Sequence, residues 1–162
     1  MKQLLLVRHA KSSWDMTTIS DFERTLNPRG HKDAPVMASR LKARSVYVDA
    51  FVSSPAVRAL TTATYFAEAY NRDIKSIIQI PELYHADSFA FSNVVRNIED
   101  GFNTVALFSH NPGITDFINQ LTTTKIHDMP TCGIFAVIAD IDKWKDFFTA
   151  EKKFWFFDHP KA

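Results

Sequence analysis

Leu4-Leu5-Leu6-Val7, followed at once by Arg8-His9-Ala10-Lys11-Ser12, is the stretch from which the rest of the chain is read. Four apolar residues without a polar break describe a short strand buried on both faces. The run stops abruptly at an arginine and a histidine. Charged side chains are seldom fully buried unless paired, so this strand end is expected to open into a pocket with Arg8 and His9 facing something anionic. In open α/β sheets, ligands bind outside the carboxyl ends of the strands. A solvated loop start accounts for these two residues equally well. Recurrence of the pattern further along the chain decides between the two.

Thr104 to Phe108 is a second apolar run of the same type. It ends in Ser109-His110-Asn111-Pro112-Gly113, and Ile114, Phe117, Ile118 and Leu121 begin a helix immediately. His110 therefore stands where strand becomes helix, beside free backbone donors. A third strand, centred on Ala50-Phe51-Val52, runs into Ser54-Pro55, a cap residue followed by proline at the first helical position. Val57, Leu60, Thr61, Thr64 and Ala67 are read as the apolar stripe of that helix. Arg58 falls in its first turn, where a cation opposes the helix dipole. A carboxylate or a bound anion should compensate for it.

The remaining segments fill in an alternating pattern. Ser13 to Asn27, with Trp14, Asp15, Asp21 and Arg24, lacks periodicity and reads as a loop over the mouth of the first strand. Asn27-Pro28 opens a helix to about Arg44, with Ala34, Met37, Ala38 and Leu41 as its buried stripe. Ile77 to Ile80 is a short strand, and Phe91, Val94, Val95 and Ile98 mark a helix closed by Asp100-Gly101. Ile134 to Ala139 is a strand. Ile141, Trp144, Phe147 and Phe148 suit a helix, Phe154 to Phe157 an edge strand or an aromatic flap, and His159-Pro160 a loose tail. Strands alternating with helices predict an α/β fold, a largely parallel sheet covered on both faces, in one domain spanning residues 1–162.

Composition narrows the function. A 162-residue chain that is 46% hydrophobic can bury a sizeable core, and its 14 Phe make that core aromatic-rich. A net charge of +1 without a basic run argues against nucleic acid or a membrane surface as partner. No stretch is long and apolar enough to span a bilayer or serve as a signal peptide core, so the cytoplasm is the expected compartment. Cys132 is the only cysteine, which excludes an internal disulfide and a thiolate-rich metal site. It reads as a small core residue rather than a nucleophile.

Three strand ends thus carry Arg8-His9, Arg58 and His110. Two guanidinium forks match the oxygens of a phosphoryl group. No Gly-x-x-x-x-Gly-Lys-Ser/Thr loop is present to cradle a nucleoside triphosphate, and no carboxylate cluster indicates magnesium. A phosphate site without metal or cofactor, containing two histidines, is the expectation. A histidine beside two arginines resists protonation, because like charges lower its pKa. Taken singly, His110 could be a packing residue and Arg58 a solvated one. It is the match at three strand ends that favours a site. His31, His85, His127 and His159 lack this context, although His85 lies on a loop able to reach the pocket.

These residues resemble a known family. Arg8-His9-Ala10-Lys11-Ser12 is similar to the signature of the histidine phosphatase superfamily, which includes the phosphoglycerate mutases. The Ala10 variant with Lys-Ser following resembles the SixA-type phosphohistidine phosphatase branch. Asp21-x-x-Arg24-x-Leu26-Asn27-x-x-Gly30, Ser53-Ser54-Pro55-Ala56-x-Arg58-Ala59 and His110-Asn111-Pro112-Gly113 are similar to the later blocks of that branch, in order. The resemblance implies a phosphoglycerate mutase-like three-layer α/β/α sandwich. It implies His9 as nucleophile, with Arg8, Arg58 and His110 forming the phosphate pocket and Lys11, Ser12 and Asn111 contributing to it. Phosphate or vanadate should fit that pocket. Glu82 lies where many members carry the proton donor. The expected reaction is hydrolysis of a phosphohistidine displayed on a signalling or carrier protein, such as a phosphotransfer domain. The short span from Arg58 to His110 leaves no room for a cap over the pocket. A broad phosphomonoesterase for small esters and a phosphate-binding module without turnover are the competing readings.

Overall fold

The computed structural model describes residues 1–14 and 19–162; Asp15, counted above with the mouth loop, lies outside them. Six strands form one sheet: β1 (Lys2–Arg8), β2 (Ala50–Ser53), β3 (Ile78–Gln79), β4 (Thr104–Ser109), β5 (Ile134–Ala139) and β6 (Lys152–Asp158), in the spatial order β3-β2-β4-β1-β5-β6. The first four are parallel to one another, while β5 runs antiparallel to both β1 and β6. The sheet is therefore mixed and mostly parallel, an α/β fold.

The apolar run of β1 does what its continuity predicts, with Leu4 to Val7 all fully buried. Alternate residues feed opposite layers. Leu5 and Val7 join Phe51, Ala106, Phe108 and Ala136 beneath α1 (Pro28–Ala43) and α2 (Val57–Ala69). Leu4 and Leu6 join Val52, Val105, Leu107, Phe135 and Val137 on the other face. There α3 (Ser88–Arg96) and α4 (Gly113–Ile118) cover the sheet, with Trp144 and Phe147 beside them.

Helix α1 follows its sequence signals. Asn27 Oδ1 accepts from Gly30 N, Pro28 opens the helix, and Ala34, Met37, Ala38 and Leu41 are buried. Helix α2 departs from expectation in two ways. Its N-cap is Ala56, not Ser54, and the Ser54 hydroxyl accepts from Ala56 N (3.2 Å) two residues on, ahead of the helix. Its buried face is Arg58, Ala59, Thr62, Ala63, Phe66 and Ala67, not the Val57-Leu60-Thr61-Thr64 stripe. Small residues let the helix approach the sheet and α1 closely, so the alanine face wins over the bulkier one. Leu60 packs at the edge of the core instead.

Two further expectations change, and one open alternative is decided. Residues 141–148 form no α-helix; only Trp144–Asp146 make a single 3₁₀ turn. Trp144 is anchored by its own donors, N to Asp100 Oδ1 (2.8 Å) and Nε1 to Phe102 O (2.8 Å), so its burial needs no helix. Phe154 to Phe157 belong to edge strand β6 rather than to a flap. The tail is not loose, since Arg40 Nη1 donates to His159 O (2.9 Å) and Nη2 to Pro160 O (3.3 Å). Among the described residues no helix is long and apolar enough to cross a membrane.

Candidate active site

Adjacent strands β2, β4 and β1 deliver their carboxyl ends to one place. Val7 pairs with Phe108, and Phe108 with Ser53, so Arg8-His9, Ser109-His110 and Ser54 emerge side by side. The turn after β1 is clamped from several directions. His9 N donates to Ser109 O (3.1 Å), Ala10 N to Thr62 Oγ1 (3.0 Å) and Asn27 N to Lys11 O (3.0 Å). A Cβ on Gly30 would stand 2.1 Å from Lys11 O, so only glycine lets α1 begin this close to the turn.

The reversal of β5 supplies the remaining wall. Its beginning, not its end, lies beside Arg8, which brings residues 129–133 to the same rim. Arg8 Nη1 donates to Met129 O (2.8 Å), and Cys132 N is shared by Arg8 O and His9 O (3.1 Å each). Cys132 is fully buried, and burial pushes its thiol pKa up, so it behaves as a core residue.

A cavity of about 530 Å³ results, lined by Arg8, His9, Arg58 and His110 together with Arg24 and Asp21. Each of the two histidines is more than nine-tenths buried, and their ring centroids are 5.2 Å apart. His9 Nδ1 lies 2.8 Å from the Ala10 carbonyl, which can only accept, so the ring proton sits on Nδ1 and Nε2 keeps its lone pair. Burial, reinforced by Arg58, Arg8 and Arg24, lowers the His9 pKa to about 3. Burial, with His9 and Arg58 adding to it, takes His110 to about 3 as well. Both rings are therefore neutral at physiological pH. His110 Nε2 meets Ser54 Oγ at 2.8 Å, and its Nδ1 has no partner among the described residues. The Nε atoms of Arg8 and Arg58 are likewise buried without a partner among them.

Arg58 finds the compensating carboxylate that its place in α2 demands. Its Nη1 donates to Asp21 O (2.6 Å) and its Nη2 to Asp21 Oδ2 (3.0 Å). Asp21 also accepts from Arg24 Nε (3.0 Å) and from the Tyr84 hydroxyl (2.6 Å). That Tyr84 hydrogen bond, then the Arg58 charge, holds its carboxyl near pKa 2. Arg24 in turn reaches Ser12 Oγ (3.1 Å), and its guanidinium lies 3.7 Å from the exposed Trp14 ring. The mouth loop is thus tied to the site by one acid and two arginines.

The other sequence candidates divide. Lys11, Ser12 and Asn111 line the cavity. The Asn111 amide is fully engaged, however: Nδ2 donates to Asp128 Oδ1 (2.7 Å) and Met129 O (3.1 Å), and Oδ1 accepts from Thr115 (2.6 Å). It braces the 128–129 segment. Glu82 does not line this cavity at all. It faces a separate apolar one, with Ile78, Ile80 and Val94, because the 3₁₀ turn Pro81–Leu83 buries Leu83 and turns Glu82 away. His85, by contrast, does line the histidine cavity. Sequence reasoning read Ser54 only as a cap and within a family block, and Tyr84 only as part of a loop, because their partners His110 and Asp21 are remote in the chain; Asp21-x-x-Arg24 was the only local sign of the acid–arginine network. Among the described residues no three His, Cys, Asp or Glu side chains are grouped to hold a metal ion.

Known proteins share this arrangement of elements. The sequence model of the histidine phosphatase superfamily (branch 1) matches residues 4–87. An uncharacterized chloroplastic protein of Arabidopsis thaliana is 26% identical over 155 residues, covering 91% of this chain and 71% of that one. The structure of the SixA protein from Agrobacterium tumefaciens superposes with a TM-score of 0.82 at 24% identity, over 98% of each chain. The protein histidine phosphatase SixA complexed with tungstate gives the same TM-score and identity, over 98% of this chain and 97% of that one. These structural likenesses establish the fold, phosphoglycerate mutase-like in class. With a superfamily match over more than half of its length, the chain belongs to the histidine phosphatase superfamily and is a phosphatase.

Proposed function

We propose that the protein is a metal-independent phosphohistidine phosphatase that works through a phosphohistidine on its own His9. The observation that carries this is the fixed tautomer of His9, which keeps an unprotonated Nε2 in a cavity lined by arginines. Burial and the neighbouring cations keep that nitrogen free of a proton at any pH the enzyme meets. Nε2 attacks phosphorus as the bond to the donor breaks. Arg8 and Arg58 hold the non-bridging oxygens, with their fork geometry suited to the charge that spreads over them. A neutral His110 that accepts the Ser54 hydroxyl proton at Nε2 carries its own proton on Nδ1, a donor to the same oxygens. Water then attacks the phosphorylated His9 and releases phosphate. Tungstate bound by a SixA protein fits the same oxyanion chemistry.

The rim favours a macromolecular donor. Trp14 is 76% exposed, and His85, Asp87, Pro112 and Asp116 are exposed around the mouth. Small-molecule sites bury most of their ligand, whereas a phosphohistidine side chain standing out from a phosphotransfer domain can reach down a wide mouth.

Single-turnover labelling with a phosphohistidine donor tests this. It should give an acid-labile, base-stable phosphoenzyme that His9→Ala abolishes. Label that persists in His9→Ala, or turnover lost to a chelator, contradicts the mechanism.

A further inference from the structure

Transfer of phosphorus to His9 leaves an atom on the donor that needs a proton. The residues of the phosphate pocket are unsuited to give one. His9 and His110 are neutral, and the His9 ring proton is held by the Ala10 carbonyl. Asp21 is a carboxylate bound to two arginines and Tyr84. Asp87 lines the cavity too, but its Oδ1 accepts from Ala90 N (2.8 Å) as the cap of α3. Besides the arginines, the ionisable side chains left on the wall are Lys11, Asp116 and His85, and of these His85 is the imidazole, its ring set against Tyr84.

The backbone of His85 is left-handed, with φ of 58°. Of the described residues, three other non-glycine residues share this region. Ser45 and Asn71 directly follow α1 and α2, the ordinary place for it, and Cys132 flanks the cavity on the β5 side. His85 directly follows Tyr84, the C-cap of the 3₁₀ turn Pro81–Leu83, rather than an α-helix. A left-handed non-glycine residue costs on the order of 1 kcal/mol and persists where its surroundings over-determine it. Here they do. The His85 ring lies against Tyr84, centroids 3.9 Å apart, and the Tyr84 hydroxyl is fixed by Asp21. On the other side, Ala86 O comes within 1.8 Å of where a Cβ on Gly113 would stand, so the segment is seated on the start of α4. The ring is exposed at the rim of the cavity that holds His110.

We propose that His85 is the proton donor to the leaving atom, a catalytic residue for the phosphoryl transfer proposed above, on which this inference rests. As the His9 Nε2–P bond forms, the P–O or P–N bond of the donor breaks. Its electron pair goes to the leaving atom, which takes a proton from protonated His85. In the second step water attacks phosphorus and passes a proton to neutral His85. The pair of the breaking Nε2–P bond returns to His9. His85 ends protonated, as it began. Imidazole suits both halves, because its ring nitrogens can give a proton in one step and accept one in the next.

Demand for this proton rises with the basicity of the leaving group, which sets the test. Rates of 4-nitrophenyl phosphate and phenyl phosphate hydrolysis are compared in the unmodified enzyme and in His85→Asn, a replacement that tolerates left-handed backbone. His85→Asn should lower kcat/KM for phenyl phosphate by about 10²-fold and for the nitrophenyl ester far less. Equal loss on both esters marks a structural role and overturns the proposal. So does an unmodified enzyme that discriminates as steeply as the variant or turns over neither ester, or a selective loss that appears in Asp116→Asn instead. Failure of the parent reading looks different, since no His9 phosphoenzyme then forms with any donor.

Discussion

Two cavities share the segment between β3 and α3 as a partition. The larger, about 660 Å³, is walled by Val52, Ile78, Ile80 and Val94, and its only charged lining residues are Glu82 and Glu99. The smaller, about 530 Å³, gathers two buried histidines and three arginines. Volume and apolar walls alone would favour the first as a ligand site. The proposed chemistry belongs to the second, because strand ends bring cations and imidazoles together where solvent is largely shut out, and that is what shifts proton affinities. Four residues, Glu82 to His85, cross from one cavity to the other.

Mutations on the two sides should therefore behave in opposite ways. The deepest loss belongs to His9→Ala. Removal of a covalent nucleophile should cut turnover by about 10⁴-fold or more, read in steady-state assays on a variant whose circular dichroism matches the parent. Arg58→Ala removes one arm of the oxyanion clamp and should cost about 10²- to 10³-fold in kcat/KM. A parent-like rate in that variant would detach Arg58 from the reaction.

Gly113→Ala probes the partition itself. The added methyl collides with Ala86 O, so the variant should lose about 1–3 kcal/mol of stability in urea melts, with activity falling as His85 shifts. An unchanged midpoint would mean that the partition yields freely.

Acid should expose the same contrast. Histidines in the unfolded chain titrate near 6.5, whereas those at 9 and 110 fall to about 3 in the folded state. The folded state thus binds fewer protons than the unfolded one between these values. The stability gained by keeping the rings neutral is complete above pH 6.5 and drains away as pH falls toward 3. The slope is at most about 1.4 kcal/mol per pH unit for each ring. Asp21, lowered to about 2, adds a loss of the same sign only at the acid end, below about pH 4. His110→Gln should flatten the decline between pH 6.5 and 4 in chemical denaturation. The smallest effect is expected across the partition, where Glu82→Gln should change kcat/KM less than about twofold and stability within about 0.5 kcal/mol. A collapse there would return the proton-donor role to Glu82.

Much of this was legible in the chain, for identifiable reasons. Strands β1 and β4 are buried on both faces, so their apolar runs are unbroken, and α1 carries cap, proline and stripe in the expected places. Helix α2 misled because its inward face carries three alanines and a threonine beside Phe66 and Arg58, residues that hydrophobicity, Phe66 apart, ranks below Leu60. Residues 141–148 misled because aromatic burial was satisfied by side-chain anchors without a helix. At the site, the residues flagged at strand ends share one cavity, since parallel strands bring their ends together. The contacts that orient them join positions 37, 56 and 63 residues apart, which no local pattern encodes.

Lys2 pairs with Ala139 at one end of the sheet, whereas Asp158 lies across from Ile134, which in turn faces Val7 at the other. The final residues share a recess with Arg8 and Lys11, and Arg40 pins them there. A purification tag or fluorescent reporter attached ahead of Met1 hangs far from the mouth. For the protein-borne donor proposed above, the same cargo after Ala162 would crowd the approach and should slow docking while sparing small chromogenic esters.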